Sequence, residues 1–308
     1  MPMELDRKAL KARVRERMRE AQPPFWLVTL AFLLMTTGLS TAGKLSGAAY
    51  IALPPGPEDT IPMFLALLIG LLTVVFQFGY QNWALDLYRG REPGYGALLD
   101  GFSIAGRLVL MEVYIAVYTT LWALAVMLPA CLVIIALLPT MAAFLLLSLA
   151  LPLAAQVVTA VVSYRYAMAP YRLMDHPELG PFSAIRGSVA MMRGWKWQLF
   201  RLDLTFLGWF VLNLVLSTGV QLPFLWAALQ PILQTGVSSG DILLSTQLEL
   251  SWAAVLLSVL IQIPVTLWLT PCRTISYAGF YQALTDRPAP PPPVWNGPYD
   301  GPYSGPDL

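Results

Sequence analysis

Long apolar runs restrict this chain more than any other feature. About six of them approach or exceed the roughly 20 residues needed to cross the hydrocarbon of a bilayer. They cover about 24–43, 61–85, 107–138 and 141–166, a fifth ending near 218, and 251–272. Pro129, Pro152 and Pro264 fall inside such runs, where kinks are expected. Only 12% of the 308 residues are charged, against 57% hydrophobic, whereas a soluble domain carries about 25% charged residues. The reading is an all-α, polytopic transmembrane helix bundle with amphipathic interfacial helices. It divides into a basic cytoplasmic segment (1–22), a membrane domain (23–286) and a Pro/Gly-rich cytoplasmic tail (287–308). That tail cannot build a packed core and is expected to be disordered.

Basic residues set the orientation. With six spans and both ends in the cytoplasm, every one of the 19 Lys and Arg residues except Lys44 falls inside, as the positive-inside rule favours. In the first segment Leu10, Val14 and Met18 form a narrow apolar stripe. It reads either as a helix lying on anionic lipid or as a topology signal. Its charged region is too long for a signal peptide, and no small-x-small cleavage site follows. Residues 44–60 read as an outer loop and Pro139–Thr140 as a tight outer turn. Residues 219–250, broken by Pro223 and Pro231, read as an outer, partly membrane-dipping segment rather than a span.

The stretch from Tyr164 to Phe210 organises the chain. Ser183–Trp197 is predicted as one interfacial helix, because Ile185, Val189 and Met192 share a face. Arg186 and Arg193 lie on an adjacent stripe, and Gly187 and Gly194 on another. With Lys196, these two arginines form the candidate lipid or partner face. Tyr95–Gly106 reads as a second interfacial piece with Leu98, Leu99 and Phe102 on one side. Arg201 and Asp203 open the next span. They are two residues apart, so they do not face each other.

The motif S-x-x-x-M-x-G-W-K-x-x-L-F-x-L-D-L-x-F-L-G-W runs through Ser188, Met192, Gly194, Trp195, Asp203 and Trp209. It resembles the core of domain-of-unknown-function family 975, a family of bacterial integral membrane proteins. The basic opening ALKARVRERM and the closing TPCRTISYAGFYQAL, with Pro271, Tyr277, Phe280 and Tyr281, are similar to the two ends of that family. The resemblance implies a fold and a bacterial plasma-membrane location, and no activity.

Five polar residues fall in the expected cytoplasmic halves of the spans: Gln77, Glu112, Gln156, Asn213 and Gln262. Each lies roughly 8–18 Å from its inner helix end at about 1.5 Å per residue. Glu112 is the carboxylate clearly within a span, and an ionisable group there is a functional hypothesis by default. One expectation is a polar cavity around Glu112 with Arg107, Arg201 and Asp203 at its mouth, as in a small-solute transporter or permease. The other is that these residues only bond helix to helix, at about 0.6–2 kcal/mol per pair. The function expected first is non-enzymatic binding of a membrane or cytoplasmic protein partner, or of anionic lipid, at the basic face.

An enzyme is not expected. His176 is the sole histidine, and no H-E-x-x-H, G-x-S-x-G or P-loop is present. A lipid-modifying site built on Asp175, His176 and Glu178 is the minor alternative. Cys131 and Cys272 both sit in apolar runs without metal spacing, so neither a disulfide nor a metal is expected. No cofactor and no nucleic acid is implied. A weak threefold pattern also runs through the chain. Tyr-rich segments leave the apolar runs at Tyr80–Pro93, Tyr164–Pro177 and Tyr277–Pro288, with Tyr-to-Pro offsets of 13, 13 and 11. Internal repeats are common in transporters, but aromatic belts alone produce such matches.

Overall fold

The computed structural model describes residues 6–45, 60–137, 151–235 and 252–286, and all regular elements among the described residues are helical. In order they are α1 (Arg7–Glu20), α2 (Phe25–Leu45), α3 (Thr60–Tyr88), a 3-10 helix (Tyr95–Ile104), α4 (Ala105–Leu137), α5 (Leu151–Ser163), α6 (Ala169–Asp175), α7 (Pro181–Met191), α8 (Lys196–Leu204), α9 (Leu207–Thr235) and α10 (Trp252–Thr285). Helix α3 is central, packing on α1, α2, the 3-10 helix, α4, α6 and α10. The outer turn at Pro139–Thr140 and the tail lie outside the described residues, as do most of the loop expected over 44–60 and the second half of 219–250.

Two continuous helical segments are long and apolar enough to cross a membrane, Met63–Tyr88 of α3 and Tyr95–Ile134, which runs from the 3-10 helix into α4. Two bent pairs add one crossing each if each pair is one span: Arg7–Glu20 with Phe25–Thr41, bent by 89°, and Lys196–Leu204 with Leu207–Val220, bent by 50°. Leu121, Leu128 and Leu132 of α4 point outward and are exposed. Apolar surface of that extent is stable only under lipid or another protein.

The buried core sits at one end of the long helices. At 33 residues α4 is roughly 50 Å long, well beyond a hydrocarbon core of about 30 Å. Its N-terminal turns are packed as in a soluble protein, burying Leu108 and Met111. Tyr80, Trp83 and Tyr88 of α3 join Tyr171 of α6, Leu199 and Leu202 of α8, and Ile275, Phe280 and Tyr281 of α10 in one cluster. This cap carries most of the charged side chains and both candidate sites.

Helix α1 belongs to the cap. Asp6 caps it, its side chain accepting from the backbone N–H of Lys8 at 2.9 Å and of Ala9 at 3.2 Å. Its stripe of Leu10, Val14 and Met18 is buried in the main cluster, with Met18 against Cys272 of α10. The apolar face expected to lie on lipid therefore lies on protein.

Three further expectations are corrected. The single helix over Ser183–Trp197 is two, α7 and α8, because Gly194 adopts a left-handed backbone (φ 81°). Ile185 and Met192 are still buried, but in different clusters. The 3-10 helix buries Leu98 and exposes Leu99 and Phe102. With 3.0 residues per turn, 99 and 102 share one face and 98 and 101 the next. Finally, α9 continues through Pro223 and Pro231 to Thr235, and α10 through Pro264 and Pro271 to Thr285. Prolines that end a soluble helix are tolerated where neighbours re-satisfy the freed carbonyls. Gly194→Ala is expected to cost about 1–2 kcal/mol of stability, the penalty of a left-handed non-glycine residue. Gly208→Ala, where an added methyl group meets no other atom within 4 Å, should be near neutral in the same thermal melts.

Candidate functional site

A cavity of about 320 Å³ opens between the cap and the spans. Gln77 and Gln81 of α3, Glu112 of α4, Asp203 of α8 and Arg273 and Tyr277 of α10 face it. Gln77 and Gln81 share a wall because they are one helical turn apart, as are Arg273 and Tyr277. Asp203 is firmly held. It accepts hydrogen bonds on Oδ2 from Tyr164 at 2.8 Å and Tyr277 at 2.7 Å, and Nε of Arg273 approaches Oδ1 at 3.4 Å. Arg273 also stacks over the rings of Phe210 and Tyr277. Glu112 differs: no hydrogen bond or ion pair reaches its carboxylate among the described residues. A half-buried carboxylate without a partner is open to a donor from a ligand.

Gln77, Glu112 and Asp203 are thus the predicted residues that come together. Gln262 lines a separate apolar groove between α2 and α10. Gln156 faces outward from α5. Asn213 lies on α9 with a buried carbonyl oxygen that has no hydrogen-bond partner among the described residues. Arg107 is not at the mouth; its guanidinium donates to the carbonyl of Pro177. Arg201 lines a basic groove with Arg7, Lys8 and Lys11 of α1, and Arg7 donates to the Arg201 carbonyl at 3.4 Å. Position along a helix gives depth but not rotation, so it does not say which of these residues share a cavity. Sequence reasoning also overlooked Arg273, Tyr164 and Tyr277. The signal was present, since both tyrosines head a Tyr-rich exit.

Those three exits meet beneath the cavity. Arg89 grips both oxygens of Asp175, each at 2.7 Å, and donates through Nε to Gln282 at 2.9 Å. Tyr281 donates to Oδ2 of Asp175 at 2.9 Å and stacks on Tyr171. One residue of the first exit, Arg89, is bound to the second and third at once. His176 lies outside this knot, half-exposed and 3.1 Å from Glu178.

On another face, Arg186 and Arg193 of α7 and its C-terminal turn line a groove of about 300 Å³. Lys196, exposed beyond the Gly194 turn, does not line it.

Helices of this length and exposure, joined by a cap around a polar cavity, fit the class of all-helical membrane proteins. The chain belongs to the family described as "Protein of unknown function (DUF975)", whose model matches residues 1–288. No curated protein and no solved structure matches it.

Proposed function

We propose that this is a multi-pass protein of a bacterial plasma membrane that binds a small polar solute in the cavity around Glu112, as a transporter or permease does. The observation that carries this is the meeting of Gln77, Glu112 and Asp203 at one cavity, with Glu112 unpartnered among the described residues. Six spans with both ends in the cytoplasm fit the distribution of Lys and Arg, and the cap then lies in the cytoplasm and the cavity opens towards it. No step of chemistry is assigned to the cavity, and the reading is non-enzymatic.

The test is thiol accessibility. In a background with Cys131 and Cys272 replaced by alanine, Glu112→Cys should react rapidly with a membrane-impermeant reagent on inside-out vesicles. Failure to react, while Arg186→Cys reacts, would mean a closed bundle and overturn the reading. Glu112→Gln should keep or raise the melting temperature, because it removes a carboxylate with no partner, while lowering solute uptake.

A second reading is favoured by a specific observation. Arg186 and Arg193 are exposed on one face and make no ion pair among the described residues. This basic face is suited to anionic lipid or to a membrane or cytoplasmic protein partner.

A further inference from the structure

We infer that the groove between α4 and α7 is a binding site for the phosphate of an anionic lipid headgroup. The inference rests on the second reading above and gives that face a ligand class and a defined site.

Three guanidiniums converge on the groove: Arg165 from the turn after α5, Arg186 from α7, and Arg193 from the turn that ends it. None of the three meets a carboxylate among the described residues, and no carboxylate lines the groove. Nε of Arg165 is buried and has no hydrogen-bond partner among the described residues. Nearby, across α7, Nε of Arg172 is buried and unpartnered among the described residues too, its guanidinium lying against Gly187 and reaching the sulfur of Met191 through Nη1. The acidic side chains nearest in sequence are already engaged, Asp175 by Arg89, Glu178 by His176 and Asp203 by Arg273, while Glu112 lines the neighbouring cavity, which shares Tyr166 with the groove, and not the groove itself. Uncompensated positive charge in one concave place is a demand for an anion.

The remaining walls fit a phosphate. Tyr114, Tyr118 and Tyr166 line the groove, and none of the three phenol groups makes a hydrogen bond among the described residues. Their rings are locked together, Tyr114 stacked on Tyr118 at 6.0 Å and Tyr118 edge-on to Tyr166 at 5.9 Å. Arginine forks and phenol hydroxyls supply directed donors that match phosphate oxygens. A planar guanidinium fork is itself preorganised, so little freedom is lost per hydrogen bond formed.

The site is built, not incidental. Ser188 is fully buried. Its hydroxyl donates to the carbonyl of Arg165 at 3.0 Å and accepts from the backbone N–H of Met168 at 3.2 Å. It therefore clamps the turn carrying Arg165 onto α7. Depth points to a lipid. Phe182, exposed on α7, packs edge-on to Tyr114, and Trp197 is exposed on α8 beyond the Gly194 turn. Such rings settle at headgroup level.

The full chain in an uncharged detergent is titrated with dihexanoyl phosphatidylglycerol, dihexanoyl phosphatidylcholine and inorganic phosphate. Phosphatidylglycerol is expected to bind about tenfold more tightly than phosphatidylcholine, whose choline charge opposes three guanidiniums. The double substitution Arg186→Gln with Arg193→Gln should weaken phosphatidylglycerol about tenfold or more, while Arg15→Gln with Arg19→Gln, which removes equal charge from α1, changes it less than about twofold. Arg165→Lys keeps the charge and should still weaken binding through loss of the fork. Equal loss in both double variants would overturn the groove and leave the basic-face reading standing. Equal binding of the two lipids by the unaltered chain would overturn both. Inorganic phosphate displacing phosphatidylglycerol at similar concentration would overturn the lipid in favour of a free anion. Melting temperatures of all variants, expected unchanged, separate lost binding from lost fold.

Discussion

Arg89→Gln should lower the stability of the detergent-solubilised protein by about 3 kcal/mol, in the range found when one partner of a largely buried ion pair is removed. The cause is what remains. Asp175 keeps a carboxylate only 20% exposed, and it loses both strong hydrogen bonds while Gln282 loses its donor. Arg89→Lys should recover only part of the loss, because an ammonium cannot match two carboxylate oxygens and the amide of Gln282 together. The pair also predicts a pH dependence. Burial alone would raise the pKa of Asp175, but hydrogen bonds from Arg89 and Tyr281 outweigh it and hold the group below its ordinary value. A lowered folded-state pKa means stability that is present above the unfolded value of about 3.9 and is lost as pH falls through the folded value. Melting temperature should therefore drop below about pH 4, and the part due to Asp175 should vanish in Asp175→Asn. An unchanged acid limb in that variant would remove Asp175 from the account.

The same residues show what a sequence of this kind makes legible. The apolar runs and the family motif could be read directly, because a bilayer imposes length and composition on any helix that crosses it. Burial could not. A membrane helix is apolar on all sides, so composition does not say which face meets protein. The stripe of Leu10, Val14 and Met18 carried the periodic signal of a surface helix, and that signal is the same whether lipid or protein covers it. Arg89 and Asp175 were visible as charges at the ends of runs. Their pairing spans 86 positions, and nothing local announces it. Of the cavity, Glu112 was legible because a carboxylate in an apolar run is expensive. Its neighbours depend on helix rotation and on the Gly194 turn, which divides a helix that periodicity alone would continue.

Gly79→Ala should be as costly as the loss of Arg89, about 3 kcal/mol, and for a purely steric reason. A methyl group at Gly79 would run into the backbone carbonyl of Leu98 in the 3-10 helix. One turn of that helix further on, the reverse holds: a methyl group at Gly101 would lie 2.6 Å from the carbonyl of Val75 in α3. The two backbones thus touch at two places four residues apart on α3, each place opened by the lack of a side chain. Neither obstacle is a flexible side-chain end, so accommodation requires the 3-10 helix to move away bodily. Leu98 would lose its buried place against α3, and the cap would loosen where Tyr80 and Trp83 pack. Because Gln77 and Gln81 flank Gly79 on the same helix, the cavity wall should shift too. Gly79→Ala is therefore expected to change the rate of thiol labelling at Glu112→Cys as well as the melting temperature. Gly70→Ala, on α3 but with no other atom within 4 Å of an added methyl group, should change neither. Since one substitution already forces the helices apart, adding Gly101→Ala should cost less than it does alone. Fully additive losses would show that the two contacts yield independently and that the 3-10 helix does not move as a unit.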